Sequence, residues 1–257
     1  PFFIHSVYKN SPVIWDYNDD PFQFAEQPTW IEYSLNNFLI NNTNQIWASS
    51  KRLTENLKLK YDSKVKYIPN GVEMNKFQIP KNISSNEVII GYIGILSSWF
   101  FDFKLVKQIS EKFPNAKIKL IGPKDPLAVE KIKELECMPN IEFLGKVNYN
   151  SLPQLISTFN VGIIPLEQSD KVYKLNSAKF LQYLAANIPI VSVPFYEFLE
   201  FKENVHFCDS RIEFIKSIDY ILNSKNQSDI KYENLENWDW NKISGSASIH
   251  INELINQ

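Results

Sequence analysis

The sequence predicts an α/β protein built on parallel sheets. Short runs of consecutive apolar residues alternate with amphipathic helical segments along most of the 257 residues. Continuous apolar runs are typical of strands that are buried on both faces, and strands separated by helices form parallel sheets. Apolar residues make up 44% of the chain, which is enough for a sizeable core in one large domain or two small ones.

The first part of the chain predicts three strands. The elements, in order, are a strand at 13–15, an acidic loop at 16–20, a helix at 28–41, a strand at 45–49, a helix at 51–61 and a strand at 65–68. The turn Pro69-Asn-Gly71 closes this part, because Pro-Asn-Gly sequences favour turns. The polar stretch 76–87 is predicted to be a linker.

The second part alternates strands and helices regularly. Its predicted strands are 88–94, 117–121, 141–144, 161–165, 188–193 and 206–208. Its predicted helices are 103–113, 126–136, 152–159, 177–186, 196–201, 211–222 and 240–255. We expect residues 88–222 to form one six-stranded parallel sheet, with ligands bound beyond the carboxyl ends of its strands.

Composition excludes several classes of protein. The net charge of −2 argues against a general nucleic-acid binder, because phosphate backbones demand a basic surface. Cys137 and Cys208 are predicted to be reduced core residues, and the three histidines show no metal-ligand spacing. No apolar run approaches the ~20 residues that a membrane-spanning helix needs, and no signal peptide is recognisable.

The stretch 174–192 carries the most chemical information. It predicts a loop, a short helix and a buried strand, and the helix N-terminus at 176–178 leaves backbone N–H groups that can hold an anion. Lys179 and Gln182 lie three residues apart and share a face of the helix. This arrangement suits a nucleoside diphosphate and its ribose. An ordinary amphipathic helix with a lysine at its surface is the alternative interpretation.

A glycine ends the first strand of the second part. The sequence Gly91-Tyr-Ile-Gly94 is a fragment of a glycine-rich phosphate loop, which is a weak signal by itself. The missing side chain of Gly94 would let a ligand approach the backbone. Tight packing of a strand against a helix is the alternative explanation for this glycine.

A series of short motifs extends this pattern over nearly the whole chain. They are Val13-Ile-Trp-Asp-Tyr-Asn-Asp-Asp20, Ile46-Trp-Ala-Ser-Ser50, Tyr67-Ile-Pro-Asn-Gly-Val72, Gly91-Tyr-Ile-Gly94 with Trp99 and Asp102, Leu120-Ile-Gly-Pro123, Pro139-Asn-Ile-Glu-Phe-Leu-Gly145, Phe159-Asn-Val-Gly-Ile-Ile-Pro165, the stretch 176–192 and Trp238-Asp-Trp240. In this order they resemble the two-domain GT-B glycosyltransferases, especially the bacterial branch related to the family-4 type and to teichuronic-acid biosynthesis enzymes.

The resemblance implies the domain organisation. A partial Rossmann-like acceptor-side domain is expected at 1–80, a Rossmann-like nucleotide-sugar donor domain at 81–240, and a C-terminal helix that crosses back towards the first domain at 241–257. The family's first strands have no counterpart here, so the first domain is expected to lack its front half. A preceding N-terminal segment, a second copy of the chain or a partner subunit would then cover its apolar face.

The resemblance also implies the donor-binding residues. The backbone amides of Asn176, Ser177 and Ala178 are expected at the diphosphate, with Lys179 as the first candidate cation and Lys174 as the second. Gln182 stands where relatives usually carry a carboxylate that holds the ribose. In many relatives a second carboxylate precedes it by eight residues, and Lys174 occupies that place here.

Further donor contacts are expected from the loops that follow two other strands. Lys146 and Val147 lie where relatives hold the base by backbone contacts. Gly94 and Ser98 are expected to approach the donor from the opposite loop. Trp99 is expected in the sugar pocket, with packing at the domain interface or contact with a membrane as alternatives.

The acceptor side is expected to be acidic. Asp16 and Asp19 are the candidate catalytic residues, as a general base or as groups that position the acceptor hydroxyl. Asp20 is interpreted as a solubilising or helix-capping residue.

The implied function is a bacterial, cytoplasmic, metal-independent glycosyltransferase of the hexosyltransferase type. It would need no cofactor beyond its nucleotide-sugar substrate and would act on a surface-polysaccharide or lipid-linked acceptor. A peripheral place at the inner face of the membrane is compatible with this function. The alternatives are a non-catalytic GT-B subunit that binds a partner or a nucleotide, and a GT-B nucleotide-sugar epimerase.

Overall fold

The computed structural model describes residues 11–20, 29–83, 87–224 and 234–256, which contain two parallel sheets with helices packed against them. The predicted α/β class with parallel sheets is confirmed. Within these ranges, no helix combines the length and the apolar character that crossing a membrane requires.

The first sheet has three strands, β1 (Ile14–Tyr17), β2 (Gln45–Ala48) and β3 (Val65–Tyr67), paired in that order. Helix α1 (Trp30–Asn41) connects β1 to β2, and α2 (Lys51–Tyr61) connects β2 to β3. A small apolar core lies between the sheet and α2 and includes Ile46, Leu53, Leu57 and Val65. The start of α1 is open to solvent, with Trp30 76% exposed.

The second sheet has six parallel strands, as predicted for residues 88–222. Its strands are β4 (Val88–Ile93), β5 (Ala116–Ile121), β6 (Ile141–Gly145), β7 (Val161–Ile164), β8 (Ile190–Ser192) and β9 (His206–Phe207). Their order across the sheet is β6-β5-β4-β7-β8-β9. The order places β4 and β7 at the centre, so the carboxyl ends of these two strands lie at the middle of one sheet edge.

Helices cover both faces of the second sheet. The helices of this part of the chain are α3 (Met74–Phe77), α4 (Phe103–Lys112), α5 (Val129–Glu136), α6 (Leu152–Ile156), α7 (Asp170–Tyr173), α8 (Ala178–Ala185), α9 (Arg211–Asn223) and α10 (Trp240–Ile255). The core cluster on one face takes its side chains from α4, α5 and α9. The cluster on the other face takes them from α6, α8 and the 3-10 turn Tyr196–Phe201.

Two glycines let aromatic rings pack directly onto the central strands of the second sheet. A β-carbon at Gly91 would lie 2.1 Å from the ring of Phe159, and one at Gly162 would lie 2.7 Å from the ring of Tyr183. The missing side chains let both rings lie on the strands. The Tyr183 hydroxyl accepts a hydrogen bond from the Ile93 amide (2.9 Å) and donates one to the Gly91 carbonyl (3.3 Å). Helix α8 is therefore fixed in register along β4.

Several boundaries differ from the sequence prediction. Strand β1 continues through Tyr17, so Asp16 lies within a strand and not in the predicted acidic loop. The stretch predicted as a linker begins inside the short helix α3, and the helix predicted at 196–201 is a 3-10 helix. Cys137 is exposed and not a core residue, because it caps the C-terminal end of α5 at the surface. Asn187 has a φ of 53°, as expected for a left-handed helix cap.

The beginning of α10 lies against the segment that follows the first sheet. Val72 pairs with Asp239 in an isolated parallel bridge, and a β-carbon at Gly71 would lie 2.7 Å from the Ile243 side chain. The domain limits expected from the sequence, at residues 80 and 240, stay predictions.

The close packing at Gly91 yields a stability prediction. We expect Gly91→Ala to destabilise the protein by about 1–3 kcal/mol or more, because overpacking a rigid core displaces aromatic rings and backbone. Gly245→Ala is the matched control, since a β-carbon there meets nothing within 4 Å and Gly245 lies inside α10. That control should stabilise the protein by up to about 1 kcal/mol. Urea denaturation of both variants tests the packing, and similar changes in both would contradict it.

Candidate functional site

The N-terminus of α8 carries polar groups that have no hydrogen-bond partner among the described residues. Ser177 is the N-cap residue, is only 7% exposed, and its side chain does not cap the helix. The Ser177 hydroxyl and the Asn176 Oδ1 are buried without a hydrogen-bond partner in the described structure. The first amides of a helix also lack partners within the helix. Buried polar groups are normally satisfied, so this cluster is typical of a binding site for a polar ligand.

Lys179 is the second residue of α8 and lies one turn before Tyr183. Its ammonium lies 5.6 Å from the centre of the Tyr92 ring, and its side chain packs against Gly94, where a β-carbon would be 2.7 Å from Lys179 Cε. The side chain is half-buried, and desolvation lowers the pKa of Lys179 to about 8. A cation is also disfavoured at a helix N-terminus by the helix dipole. The position therefore costs the fold stability unless an anion binds there.

Three glycines line the edge of the sheet beside Lys179. Gly94, Gly122 and Gly145 follow or end the adjacent strands β4, β5 and β6, with φ values of 142°, 144° and 64°, which only glycine adopts readily. We call them the glycine rim. A β-carbon on Gly122 would lie 2.1 Å from the Gly94 carbonyl oxygen, and the Gly122 amide donates to the Gly145 carbonyl at 2.8 Å. Side chains at Gly94 and Gly122 would collide with the protein itself, so these glycines let the loops after β4 and β5 pack closely. The space beside Gly145 is open among the described residues.

The other residues predicted for donor binding lie in loops at the same edge. Lys146 is exposed and Val147 is half-buried directly after Gly145. The Ser98 hydroxyl and amide both donate to Asp125, at 2.7 and 2.8 Å, so the hydroxyl already has a protein partner. These bonds pin the loop after β4, and Trp99 on that loop is 50% exposed.

Lys174 and Gln182 flank the N-terminus of α8. Lys174 caps the C-terminal end of α7, and Gln182 lies on α8 one turn after Ala178. Both side chains are half-buried, and Ala178 is exposed at the first position of the helix. The stretch from 174 to 182 contains two lysines and no carboxylate.

The first sheet contacts the loop before α8 through two hydrogen bonds. Asn176 Nδ2 donates to the Ser49 carbonyl at 2.8 Å, and Asn70 Nδ2 donates to the Asn176 carbonyl at 3.3 Å. Ser49 follows β2 directly, and Asn70 lies three residues after β3. The carboxyl edges of both sheets therefore face each other across this loop.

The two acidic candidates lie at the first sheet. The Asp16 side chain is exposed and alternates with Trp15 and Tyr17, which pack together and against the first core. Asp19 lies in the loop after β1. The Asp19 side chain is exposed. The neighbouring protein nevertheless desolvates its carboxyl in part, which raises the pKa of Asp19. The backbone of this loop is held to β2, because the Ser49 hydroxyl donates to the Asn18 carbonyl.

Sequence reasoning missed four groups at this site. Gly122 and Gly145 belong to the sequence motifs, but their positive φ has no signal in a single sequence. Ser49 and Asn70 also lie in recognised segments. Their contact with Asn176 joins residues that are 127 and 106 positions apart, which periodicity alone does not reveal.

Comparison with known proteins supports the fold. No family model matches the sequence. A region of 162 residues is 25% identical to TuaH of Bacillus subtilis (strain 168), whose name assigns it to the glycosyltransferases of teichuronic acid biosynthesis. This match covers 60% of the present chain and 41% of TuaH, so the chain spans less than half of the length of this curated relative.

Solved structures resemble nearly the whole chain. Anabaena HepE, in complex with UDP and glucose, superposes with a TM-score of 0.75 at 15% identity, over 98% of this chain and 74% of HepE. Sucrose-phosphate synthase of Thermosynechococcus elongatus superposes with a TM-score of 0.78 at 15% identity, over 99% of this chain and 71% of the enzyme. The chain has the GT-B fold. At this level of identity the superpositions establish the fold alone.

The surroundings of Lys179 yield a prediction about its titration. Because desolvation lowers the pKa of Lys179 to about 8, its amine should become reactive towards an acylating reagent with a midpoint near pH 8. Competitive labelling followed by peptide mass spectrometry, from pH 6 to pH 11, measures this midpoint, with exposed Lys104 as the reference for reagent activity. A midpoint near the ordinary lysine value of 10.5 would contradict the desolvated site.

Proposed function

We propose that the protein is a glycosyltransferase that moves a sugar from a nucleotide-sugar donor to a surface-polysaccharide or lipid-linked glycan acceptor. The named glycosyltransferase TuaH and the UDP-binding structures of the same fold support this proposal. We further propose that it belongs to the family-4-like branch, is of the hexosyltransferase type and works in the cytoplasm. These finer assignments rest on the sequence motifs.

The observation that carries the proposal is the N-terminus of α8. The unpaired Ser177 hydroxyl, the first amides of the helix and the desolvated ammonium of Lys179 meet beside the glycine rim. A diphosphate would satisfy these groups together, because it accepts hydrogen bonds and carries the negative charge that a helix N-terminus and a lysine favour. Lys146 and Val147 would then hold the base through their backbone, and Trp99 would line the sugar pocket.

The chemistry follows from the charge on the leaving group. Glycosyl transfer releases a nucleoside diphosphate, whose negative charge grows as the bond to the sugar breaks. Lys179 and the helix dipole would stabilise that negative charge. They would thereby supply the electrostatic stabilisation that a metal ion provides in other transferases. We therefore propose that the reaction is metal-independent and that no cofactor is needed beyond the donor.

The acceptor hydroxyl would approach from the first sheet. We propose Asp19 as the group that accepts or orients its proton, because desolvation raises the pKa of this carboxyl towards the range that suits a general base. Asp16 remains the second candidate, because it lies within β1 and not in the loop that follows it.

One observation favours a non-catalytic role. Lys174 and Gln182 occupy the positions where relatives usually carry carboxylates, so the donor loop lacks both acids. A subunit that binds a nucleotide or a partner without turnover would tolerate this loss. Nucleotide binding without hydrolysis or transfer is the result that distinguishes this subunit from an enzyme.

We predict that Lys179→Ala weakens the binding of UDP more than Lys104→Ala does. A charge-assisted hydrogen bond to phosphate contributes about 1.5–3 kcal/mol, so the dissociation constant should rise about tenfold or more. Lys104 is exposed on α4 and should leave the affinity unchanged. Isothermal titration calorimetry measures both variants, and equal affinities would remove Lys179 from the site.

We also predict slow release of UDP from a UDP-sugar in the absence of acceptor. Since Lys179 and α8 supply the positive charge, excess EDTA should leave this hydrolysis rate unchanged within about twofold. A panel of UDP-sugars assayed with and without EDTA tests the prediction. Loss of hydrolysis in EDTA, restored by added Mg²⁺ or Mn²⁺, would contradict metal independence.

A further inference from the structure

A buried carboxylate after the second sheet is hydrogen-bonded to two elements of the first sheet's unit. Glu197 lies in the 3-10 turn after β8 and is only 1% exposed. Its Oε2 accepts a hydrogen bond from the Lys51 amide at 2.6 Å, and its Oε1 accepts one from the Tyr67 hydroxyl. Lys51 is the first residue of α2, and Tyr67 is the last residue of β3. The Glu197 side chain, which follows β8 of the second sheet, is thus hydrogen-bonded to both α2 and β3.

The environment of Glu197 explains how a carboxylate is tolerated in the interior. Buried charges are costly unless they are hydrogen-bonded or paired. Glu197 lies at the N-terminus of α2, where free amides and the helix dipole favour an anion. Desolvation raises the pKa of Glu197, and the hydrogen bonds from Tyr67 and from Lys51 oppose that rise.

The segment that Glu197 contacts is also hydrogen-bonded to Asn176, in the loop before α8. Lys51 is two residues from Ser49, and the Ser49 carbonyl accepts the hydrogen bond from Asn176 Nδ2. Ser49 and Ser50 are 3% and 1% exposed, so this short segment is packed on all sides. Its position is fixed at one end by Glu197 and at the other by Asn176. A shift at Glu197 would therefore move the carbonyl that holds Asn176.

We propose that Glu197 is a positioning residue for the donor site: through Lys51 and Ser49 it sets the place of Asn176 and of the N-terminus of α8. This role deepens the proposed glycosyltransferase function and rests on it. Glu197 need not touch the substrate, because its effect passes through the segment 49–51. Neither the motifs nor the comparisons assign a role to this residue.

Glu200 provides a matched control on the same turn. Its carboxylate contacts the same residue, Lys51, but through the ammonium at 3.1 Å, and both side chains are about 40% exposed. Exposed ion pairs of this kind contribute little. Glu200→Gln should therefore change neither the donor loop nor the segment 49–51, although it removes a carboxylate next to Lys51.

Amide hydrogen exchange of the ligand-free protein tests the positioning directly. In Glu197→Gln, exchange in the peptide that covers 175–182, which includes the hydrogen-bonded amides of Leu175 and Phe180, should accelerate about tenfold, the scale of an ordinary coupling between sites. Tyr67→Phe is the second variant, because it removes only one of the two hydrogen bonds and keeps the carboxylate, and it should accelerate exchange in the same peptide by a smaller factor. Unchanged exchange at 175–182 in both folded variants, or equal acceleration in Glu200→Gln, would overturn the proposal.

A double-mutant cycle tests the route. Dissociation constants for UDP are measured for the unmodified protein, Glu197→Gln, Asn176→Ala and the double variant. Glu197→Gln should weaken UDP binding about tenfold by itself and much less in the Asn176→Ala background. In that background the side chain that links Ser49 to the loop before α8 is already missing. Strictly additive effects would overturn the route. Failure of the unmodified protein to bind UDP or other nucleoside diphosphates would instead count against the proposed function, and hydrogen exchange would still decide the positioning.

Discussion

The packing of α8 onto the centre of the second sheet is the contact on which the candidate site depends. Gly162 leaves room for the Tyr183 ring on β7, and the Tyr183 hydroxyl then bonds to the backbone of β4. Because Lys179 lies one turn earlier on the same helix, this register places its side chain on Gly94. The place of Lys179 is therefore a consequence of core packing, whereas the place of Asn176 depends on its hydrogen bonds with the first sheet.

The same helix combines features that a stable fold would avoid. A lysine at a helix N-terminus opposes the dipole, and its desolvation lowers the pKa of Lys179 to about 8. The neighbouring Ser177 hydroxyl is buried without a partner among the described residues. Local rules of helix design fail most often at functional sites, where a ligand supplies the missing partner. Each of these three features would be relieved by one kind of ligand, an anion rich in hydrogen-bond acceptors.

Sequence reasoning predicted the sheets because their signal is local. The apolar runs of β4 and β7 and the helical spacing of 178–185 depend only on neighbouring residues, so periodicity reveals them. The resemblance placed Lys179 and Gly94 on one site, and the structure puts them in contact. Glu197 was missed, because its contacts with Lys51 and Tyr67 span 146 and 130 positions and its turn has no distinctive pattern. Buried polar contacts between distant segments are the part of a site that a single sequence hides.

Opposite charges lie at the facing edges of the two sheets. Lys174 and Lys179 flank the N-terminus of α8, where the stretch 174–182 has no carboxylate, whereas the loop after β1 carries Asp19 and Asp20. The hydrogen bonds of Asn176 with Ser49 and Asn70 bring these two loops' sheets edge to edge. Under the proposed function, the lysines would attract the anionic leaving group, and a carboxylate at the opposite edge would accept the proton. Moving either edge would change the distance between these groups, so the contacts that join the two sheets would matter to the reaction as much as the groups that bind its substrates.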